Sequence, residues 1–379
     1  MTRVVSLTTF PVTYREPNAN MQQRYLLFVR ARTDDGLSGW GEAVTQFGPA
    51  TRATATLVAD LADLVVGRSA LDNLEIWQKL RQTTWWYGYR GGIVSFAIAA
   101  IDMALWDLKG KLLGQSLSTL LGGARQPRLP AIAATITSDR SLEEEAELHA
   151  NYVRDGGLMG IKVGLGGAEG NKFGSDAKLD AQLIGLIRES IGADALLAVD
   201  RLQRHQWDLQ SAIWRAAAFS DQDVKWLEEP FEPTDVNGFR HLRSRSDLML
   251  AGGEREWDEA GYTELIEREV VDVVGCDPGR ANGVTGLVRV IEMIERGSLW
   301  FNSHSWSSAV NTAASIALSA STTRCLCQEI KPVPSPMQEE LIAEPFIITD
   351  GWIEVPTAPG LGVEPDEAVL RKYDAATVR

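Results

Sequence analysis

From residue 129 onward the chain repeats one pattern eight times, a short apolar run followed by a longer polar or amphipathic stretch. The runs are 129–135, 159–163, 195–199, 224–227, 248–251, 270–276, 299–302 and 325–328. Runs this short and this apolar suit strands buried on both faces. Segments 141–154, 180–191, 208–219, 259–269 and 285–295 carry their apolar residues at helical spacing. Parallel strands need crossovers of roughly a dozen residues, and helices supply them. Eight strands alternating with helices predict an α/β fold, a (β/α)8 barrel of TIM type.

The residues before the barrel follow different periods. Segments 4–13 and 25–33 alternate as strands do, and Asp34-Asp35-Gly36 turns the second into 37–42, so the chain opens as a small antiparallel sheet. Helical spacing follows over 53–66 and 74–82. Segment 93–111 is apolar on most faces and is expected to be a buried helix. Gly122-Gly123 stops the next helical stretch. Residues 1–125 thus read as an α+β domain and 126–333 as the barrel. The tail 334–379 is expected to pack back on the first domain through 353–356 and the Pro359-Gly360-Leu361-Gly362 turn.

Composition removes several functions. A formal net charge of −14 argues against a nucleic-acid backbone or an anionic membrane as partner. No apolar stretch approaches membrane-spanning length. Cys276, Cys325 and Cys327 are too few and too clustered for a disulfide framework, and no leader-like segment opens the chain, so a cytoplasmic protein is expected.

The chemistry lies where the strands end. Lys162 sits near the end of the second run and Asp200 ends the third; Glu228 and Glu229 end the fourth. Glu254 and Asp277 follow the fifth and sixth, while His304 and Glu329 close the seventh and eighth. From Asp200 on these charges recur roughly every 25 residues, one strand–helix unit each, and a barrel gathers its strand ends at one mouth. Converged carboxylates repel one another unless a cation lies among them. Asp200, Glu228 and Glu254, from three consecutive strands, offer oxygen ligands suited to Mg2+. The competing use of each acid is to cap the helix after its strand. Lys162, and His304 with Asp277 as its carboxylate partner, offer bases on either side of such an ion. His149, His205 and His241 fall in helical or loop contexts and are expected to face solvent.

Several segments carry a resemblance to a known family. Ala104-Leu105-Trp106-Asp107-Leu108-Lys109-Gly110-Lys111 with Leu120-Leu121-Gly122-Gly123 is similar to the junction between capping domain and barrel in the mandelate racemase/muconate lactonizing enzyme-like group of the enolase superfamily. Trp226-Leu227-Glu228-Glu229-Pro230 and Gly252-Gly253-Glu254 resemble its second and third metal-ligand motifs. Asp277 through Gly283-Val284-Thr285-Gly286 and His304-Ser305-Trp306 resemble its Asp–His dyad. The resemblance implies a Mg2+-dependent enzyme that removes the proton α to a carboxylate and stabilises an enediolate. In that reading Asp200, Glu228 and Glu254 hold the metal, Lys162 acts on one face, and His304 with Asp277 acts on the other. Glu329 hydrogen-bonds the substrate carboxylate. A capping domain closes the site through loops at about 14–24 and 43–51, with Arg15, Arg24 and Gln46 as substrate contacts. Relatives of this kind are dimers or octamers, so a homo-oligomer is expected.

Two positions depart from the family pattern. The usual Lys-x-Lys of the second strand is Gly160-Ile161-Lys162, which makes Lys162 a weaker base or an electrostatic contact, with Lys172 in the Gly-rich insert 164–174 as a substitute. The usual Asp-x-Asn of the first ligand is Asp200-Arg201-Leu202, which makes Arg201 either a substrate-anion contact or a surface arginine. Polar residues in reach of a pocket, Thr137, Arg201, Asn302 and Ser305 with Asn18, Asn20, Gln22 and Gln23 of the cap, suit a polyhydroxylated substrate. Dehydration of an acid sugar to a 2-keto-3-deoxy acid is the expected reaction. Cycloisomerisation of a sugar-acid lactone or anhydro sugar acid is the nearest alternative; racemisation or epimerisation of a 2-hydroxy acid and a non-catalytic binding barrel come next. The aromatic run Trp85-Trp86-Tyr87-Gly88-Tyr89 is read either as a pocket wall or as packing between domains.

Overall fold

The computed structural model describes residues 2–167, 170–202 and 204–376. β1 (Val4–Glu16), β2 (Gln22–Thr33) and β3 (Ser38–Ala43) form an antiparallel sheet in that order. The β1–β2 ladder continues to Glu16 opposite Gln22, so this hairpin projects well beyond β3. Helix Ile93–Leu113 lies across the sheet and is buried along most of its length, as its apolar faces require. Gly39 and Gly41 of β3 make the contact: a Cβ on either would collide with the helix carbonyls of Ala104 or Ala100. The helix expected at 53–66 runs Gly48–Leu61, started by Pro49 in its first turn.

Eight further strands follow: β4 (Arg128–Ile136), β5 (Gly160–Gly164), β6 (Leu196–Asp200), β7 (Trp226–Glu228), β8 (Met249–Gly252), β9 (Val273–Cys276), β10 (Trp300–Ser303) and β11 (Gln328–Ile330). They pair in parallel in chain order from β4 to β10, and β11 returns to pair with β4. Between β10 and β11 the link is thin, an isolated bridge from Phe301 to Cys325. The result is a barrel-like α/β domain beside the N-terminal sheet domain. Ile132, Ala198, Trp226, Ala251, Val273 and Cys327 pack together as one buried cluster. Side chains alternate along a strand, so Asp200 shares a side with Ala198, Glu228 with Trp226 and Glu329 with Cys327.

The tail departs from expectation in part. β12 (Ile348–Thr349) and β13 (Trp352–Glu354) form a hairpin, and β13 pairs antiparallel with Arg128–Pro130 of β4. Ile353 therefore extends the barrel sheet instead of joining the first domain. The reason is that β4 starts earlier than its parallel neighbours, whose ladders begin at Ala131 and Ile132, and its first backbone groups need partners. Beyond it the chain does return to the first domain: Leu361 N donates to Asp107 at 2.8 Å, and Asp374 bridges Val12.

Carboxylates of the first domain finish barrel helices. Helix Gly283–Arg296 begins after Asn282, which is left-handed and gives no side-chain cap. Asp102 takes that part, accepting from Thr285 N at 2.8 Å and Thr285 Oγ1 at 2.6 Å. Glu42 does the same for helix Ala309–Ala320, accepting from the Ser308 hydroxyl and from Asn311 N at 3.1 Å. Burial pushes both carboxyl groups up to about 7 despite these donors.

Candidate active site

The acids that end β6 and β7 and follow β8 converge. Asp200, Glu228 and Glu254 each offer an oxygen within 4.8 Å of the others. Left-handed backbone lies beside all three: Leu202 has φ 54°, Glu229 φ 44°, and Gly253 φ 115°. Non-glycine residues are strained there, which is common where backbone aims functional groups. Asp200 accepts from Leu202 N at 2.8 Å across its own turn. Lys162 of β5 stands against the group, its Nζ 2.8 Å from Glu228 Oε2, 2.7 Å from Glu329 Oε1 and 3.8 Å from Asp200 Oδ2. Glu329 also accepts from Asn302 at 2.6 Å, while its Oε2 is buried with no hydrogen-bond partner.

On another side of the cluster His304 Nδ1 lies 2.6 Å from Asp277 Oδ2, and its Nε2 is 3.7 Å from Glu254. Asp277 is held in turn by Gly279 N at 2.8 Å and Asn311 Nδ2 at 3.1 Å. This fixes the imidazole and leaves Nε2 to the cavity.

The electrostatics are those of an acid-rich pocket with too few cations. Burial raises Asp200 well above the carboxylate range, and Glu228 and Glu254 raise it further. Burial alone would lower Lys162, yet Glu228, Glu329 and Asp200 outweigh it and hold the ammonium well above the usual lysine range. His304 behaves likewise: burial is outweighed by Glu254 and Asp277, and its pKa rises to about 9. Three converged carboxylates, Asp200 and Glu228 buried and Glu254 partly exposed, that one lysine cannot neutralise fit a divalent cation.

The cluster opens into a cavity of about 400 Å3 roofed by the first domain, where Tyr14, Gln22, Arg24 and Gln46 face Asp200, Glu254 and His304. The model for the domain described as enolase C-terminal domain-like matches residues 144–369. That for the mandelate racemase/muconate lactonizing enzyme N-terminal domain matches residues 4–122. The chain belongs to the enolase superfamily. Within that superfamily it is similar to the D-galactarolactone cycloisomerase of Agrobacterium fabrum, 27% identical over 95% of this chain and 94% of that one. It is 29% identical to the D-gluconate dehydratase of Thermoproteus tenax over 96% of this chain and 73% of the relative. The crystal structure of the 3,6-anhydro-D-galactonate cycloisomerase from Zobellia galactanivorans matches with a TM-score of 0.87 at 27% identity, covering 98% and 99% of the two chains.

Against this superfamily frame, several sequence-based positions need correction. Arg201 is neither an anion contact nor a surface arginine. It is 1% exposed, and its guanidinium donates to the backbone carbonyls of Glu229 and His205 at 2.7 Å each. Leu202, which stands at the Asn position of that pattern, lines the cavity. Arg15 points along the exposed side of its strand toward Met21 O. Lys172 is exposed and outside the cavity lining, so it does not stand in for the second lysine. His149 is buried, with Nδ1 2.8 Å from Glu145 O on its own helix, and not solvent-facing. Of the polar residues expected to line the pocket, Gln22 does; Asn302 and Ser305 instead bond Glu329, and Gln23 bonds Thr13. Trp85, Trp86, Tyr87 and Tyr89 are each more than half exposed and none lines the cavity of the acid cluster; Trp85 and Tyr89 line a second pocket together with Asp258, Glu259 and Arg289.

Sequence reading also missed residues. Arg255 and Arg280 line the cavity, and Asn311 props Asp277. Asn311 lies in the first turn of the helix after β10, but an Asn inside an apolar helical run gives no sign of its partner. The Gly-rich insert and the first-ligand loop include residues 168, 169 and 203, which fall outside the described residues.

Proposed function

We propose that this protein is a Mg2+-dependent acid-sugar dehydratase. Asp200, Glu228 and Glu254 would hold the ion, which when bound supplies positive charge to the substrate carboxylate as its α-carbon gives up a proton. Lys162 takes that proton; two of the carboxylates that hold its ammonium, Glu228 and Asp200, are ones a divalent cation would offset. His304, oriented by Asp277, gives a proton to the 3-hydroxyl, which leaves as water. The resulting enol tautomerises to the 2-keto-3-deoxy acid. Glu329 faces the substrate carboxylate, and Arg24 and Gln46 contact the rest of the chain from the cap. Arg201 and Arg15 are left out of this assignment.

The observation that carries the reading is the pairing of two different acid–base groups around one acid cluster: Lys162 against Asp200 and Glu228, His304 against Glu254. Two unlike groups suit an elimination, in which one takes a proton and the other gives one. Cycloisomerases among the relatives favour a second reading, ring opening or closure through the same α-proton step. Proton NMR in D2O with Mg2+ and a library of sugar acids separates them. Loss of the α-proton with a 2-keto-3-deoxy product establishes the dehydratase, and a changed ring without loss of water establishes the cycloisomerase. No α-exchange with any sugar acid rejects both.

The division into 1–125, 126–333 and 334–379 belongs to the same proposal, as do a cytoplasmic location, which three buried free cysteines support, and assembly into a homo-oligomer, supported by the exposed run Trp85–Tyr89. No helix among the described residues is long and apolar enough to cross a membrane.

A further inference from the structure

The first domain places one cation in the cavity without a counter-ion. Arg24, on β2, lines the cavity. Its Nε is buried with no hydrogen-bond partner, and its guanidinium makes no ion pair among the described residues. What holds it is a ring: its Cζ lies 5.0 Å from the centroid of Trp306, whose Nε1 in turn donates to Ala134 O at 3.2 Å. The nearby carboxylate, Glu16, is fully engaged elsewhere. One of its oxygens accepts from Asn18 N and Nδ2; the other accepts from Tyr14 Oη at 3.0 Å, Ser335 Oγ at 3.2 Å and Lys331 Nζ at 2.6 Å. Lys331 thus takes the acid that Arg24 would otherwise use. Burial lowers Arg24 from its usual range, with Tyr14 and Glu16 opposing, but a guanidinium stays charged at any working pH.

A half-buried guanidinium whose Nε is enclosed without a partner is costly unless a ligand completes it. Three further arginines line the cavity: Arg204 is exposed, and Arg255 and Arg280, although each also has a buried Nε without a hydrogen-bond partner, are engaged by neighbouring groups. Arg255 pairs with Glu229 and Glu232, each at 3.1 Å, and Arg280 donates to Arg255 O and lies over Trp257. Resting on the acid-sugar reading above, we propose that Arg24 is the subsite for a second carboxylate, so that the substrate is a sugar diacid or its lactone. One carboxylate goes to the acid cluster and the other to Arg24. A single cation matches a singly charged carboxylate, which the planar fork of arginine takes with two parallel hydrogen bonds. A phosphate would call for more than one positive partner.

The test compares a six-carbon aldonate with the aldarate of the same configuration, which differ only in whether C6 is a hydroxymethyl or a carboxylate. The wild-type enzyme should turn over the aldarate with kcat/KM at least about 30-fold higher. Arg24→Met should erase that preference, lowering kcat/KM for the aldarate at least about ten-fold more than for the aldonate. Calorimetric binding of both acids to the His304→Asn variant, with and without Arg24→Met, reads the same preference without turnover. Arg24→Met should also leave Tm of the ligand-free protein unchanged or higher, whereas loss of a structural arginine lowers it. Equal handling of both acids by the wild type, or an equal loss for both in Arg24→Met, overturns the subsite. If diacid binding depends on Arg24 but neither acid exchanges its α-proton, the subsite stands and the dehydratase reading falls.

Discussion

The barrel wall and the cap wall of one cavity are both unbalanced in charge, with opposite sign and for different structural reasons. On the barrel side Asp200, Glu228, Glu254 and Glu329 share one lysine. They are there because strand alternation puts every second residue on one side and the strand ends bring them to one rim. On the cap side Arg24 owes its position to a hairpin reaching past its sheet and to the face of Trp306. The first arrangement is written into a period of the backbone, and the second into particular side chains that meet across domains. A barrel can therefore keep its proton chemistry while the cap changes what it holds.

The largest effects are expected where the barrel wall is broken. Asp200→Asn or Glu254→Gln should lower α-proton exchange by about a thousand-fold or more and abolish Mg2+ binding in calorimetry. Retained exchange would place the ion elsewhere. His304→Asn should cost about 10^2- to 10^4-fold in dehydration with an unchanged circular dichroism spectrum. Asn311→Ala, which frees Asp277, should cost about ten-fold in kcat and move the pH profile; an effect on KM alone would remove Asn311 from the positioning of the dyad.

On the cap side Lys331→Met strands the buried Glu16 carboxylate and should destabilise by about 3 kcal/mol in urea unfolding, with Glu16→Gln recovering part in the double variant. If Lys331→Met leaves stability unchanged, Glu16 is not held as described. An effect of at least comparable size is expected from the pH dependence of the two acids that join the domains. Glu42 and Asp102 titrate near 4 in an unfolded chain and at about 7 in the folded one. Between those values the folded state binds more protons. Stability should accordingly fall as pH rises from about 4 to about 7, by up to about 1.4 kcal/mol per pH unit for each group, and level off above. Asp102→Asn and Glu42→Gln should flatten that slope, and an unchanged slope would mean that other groups set it. Arg15→Ala, outside the cavity, should alter kcat/KM by no more than about two-fold.

The sequence was most legible where structure repeats. Eight apolar runs announce the barrel, and the charged residues that close the runs from the second onward mark its rim. Glu329 and Asp277 were found in this way without knowledge of any contact. Arg201 was misread because a residue beside a ligand looks functional in one dimension, while only the fold reveals carbonyls beneath it. His149 was misread because one histidine on an amphipathic helix does not say which face it takes. The strand at Ile353 was invisible for another reason: its partner is the unpaired start of β4, a vacancy that exists only once the neighbouring strands are in register.

Asp102 meets Thr285 across 183 residues, Glu42 meets Asn311 across 269, and Asp107 meets Leu361 across 254. On the ribosome the first domain emerges long before any of these partners has been translated. Three acids destined for burial spend that interval hydrated and ionised, and the domain they belong to stays provisional. Its final form is set by the last third of the chain, so the roof of the cavity is synthesised first and fastened last.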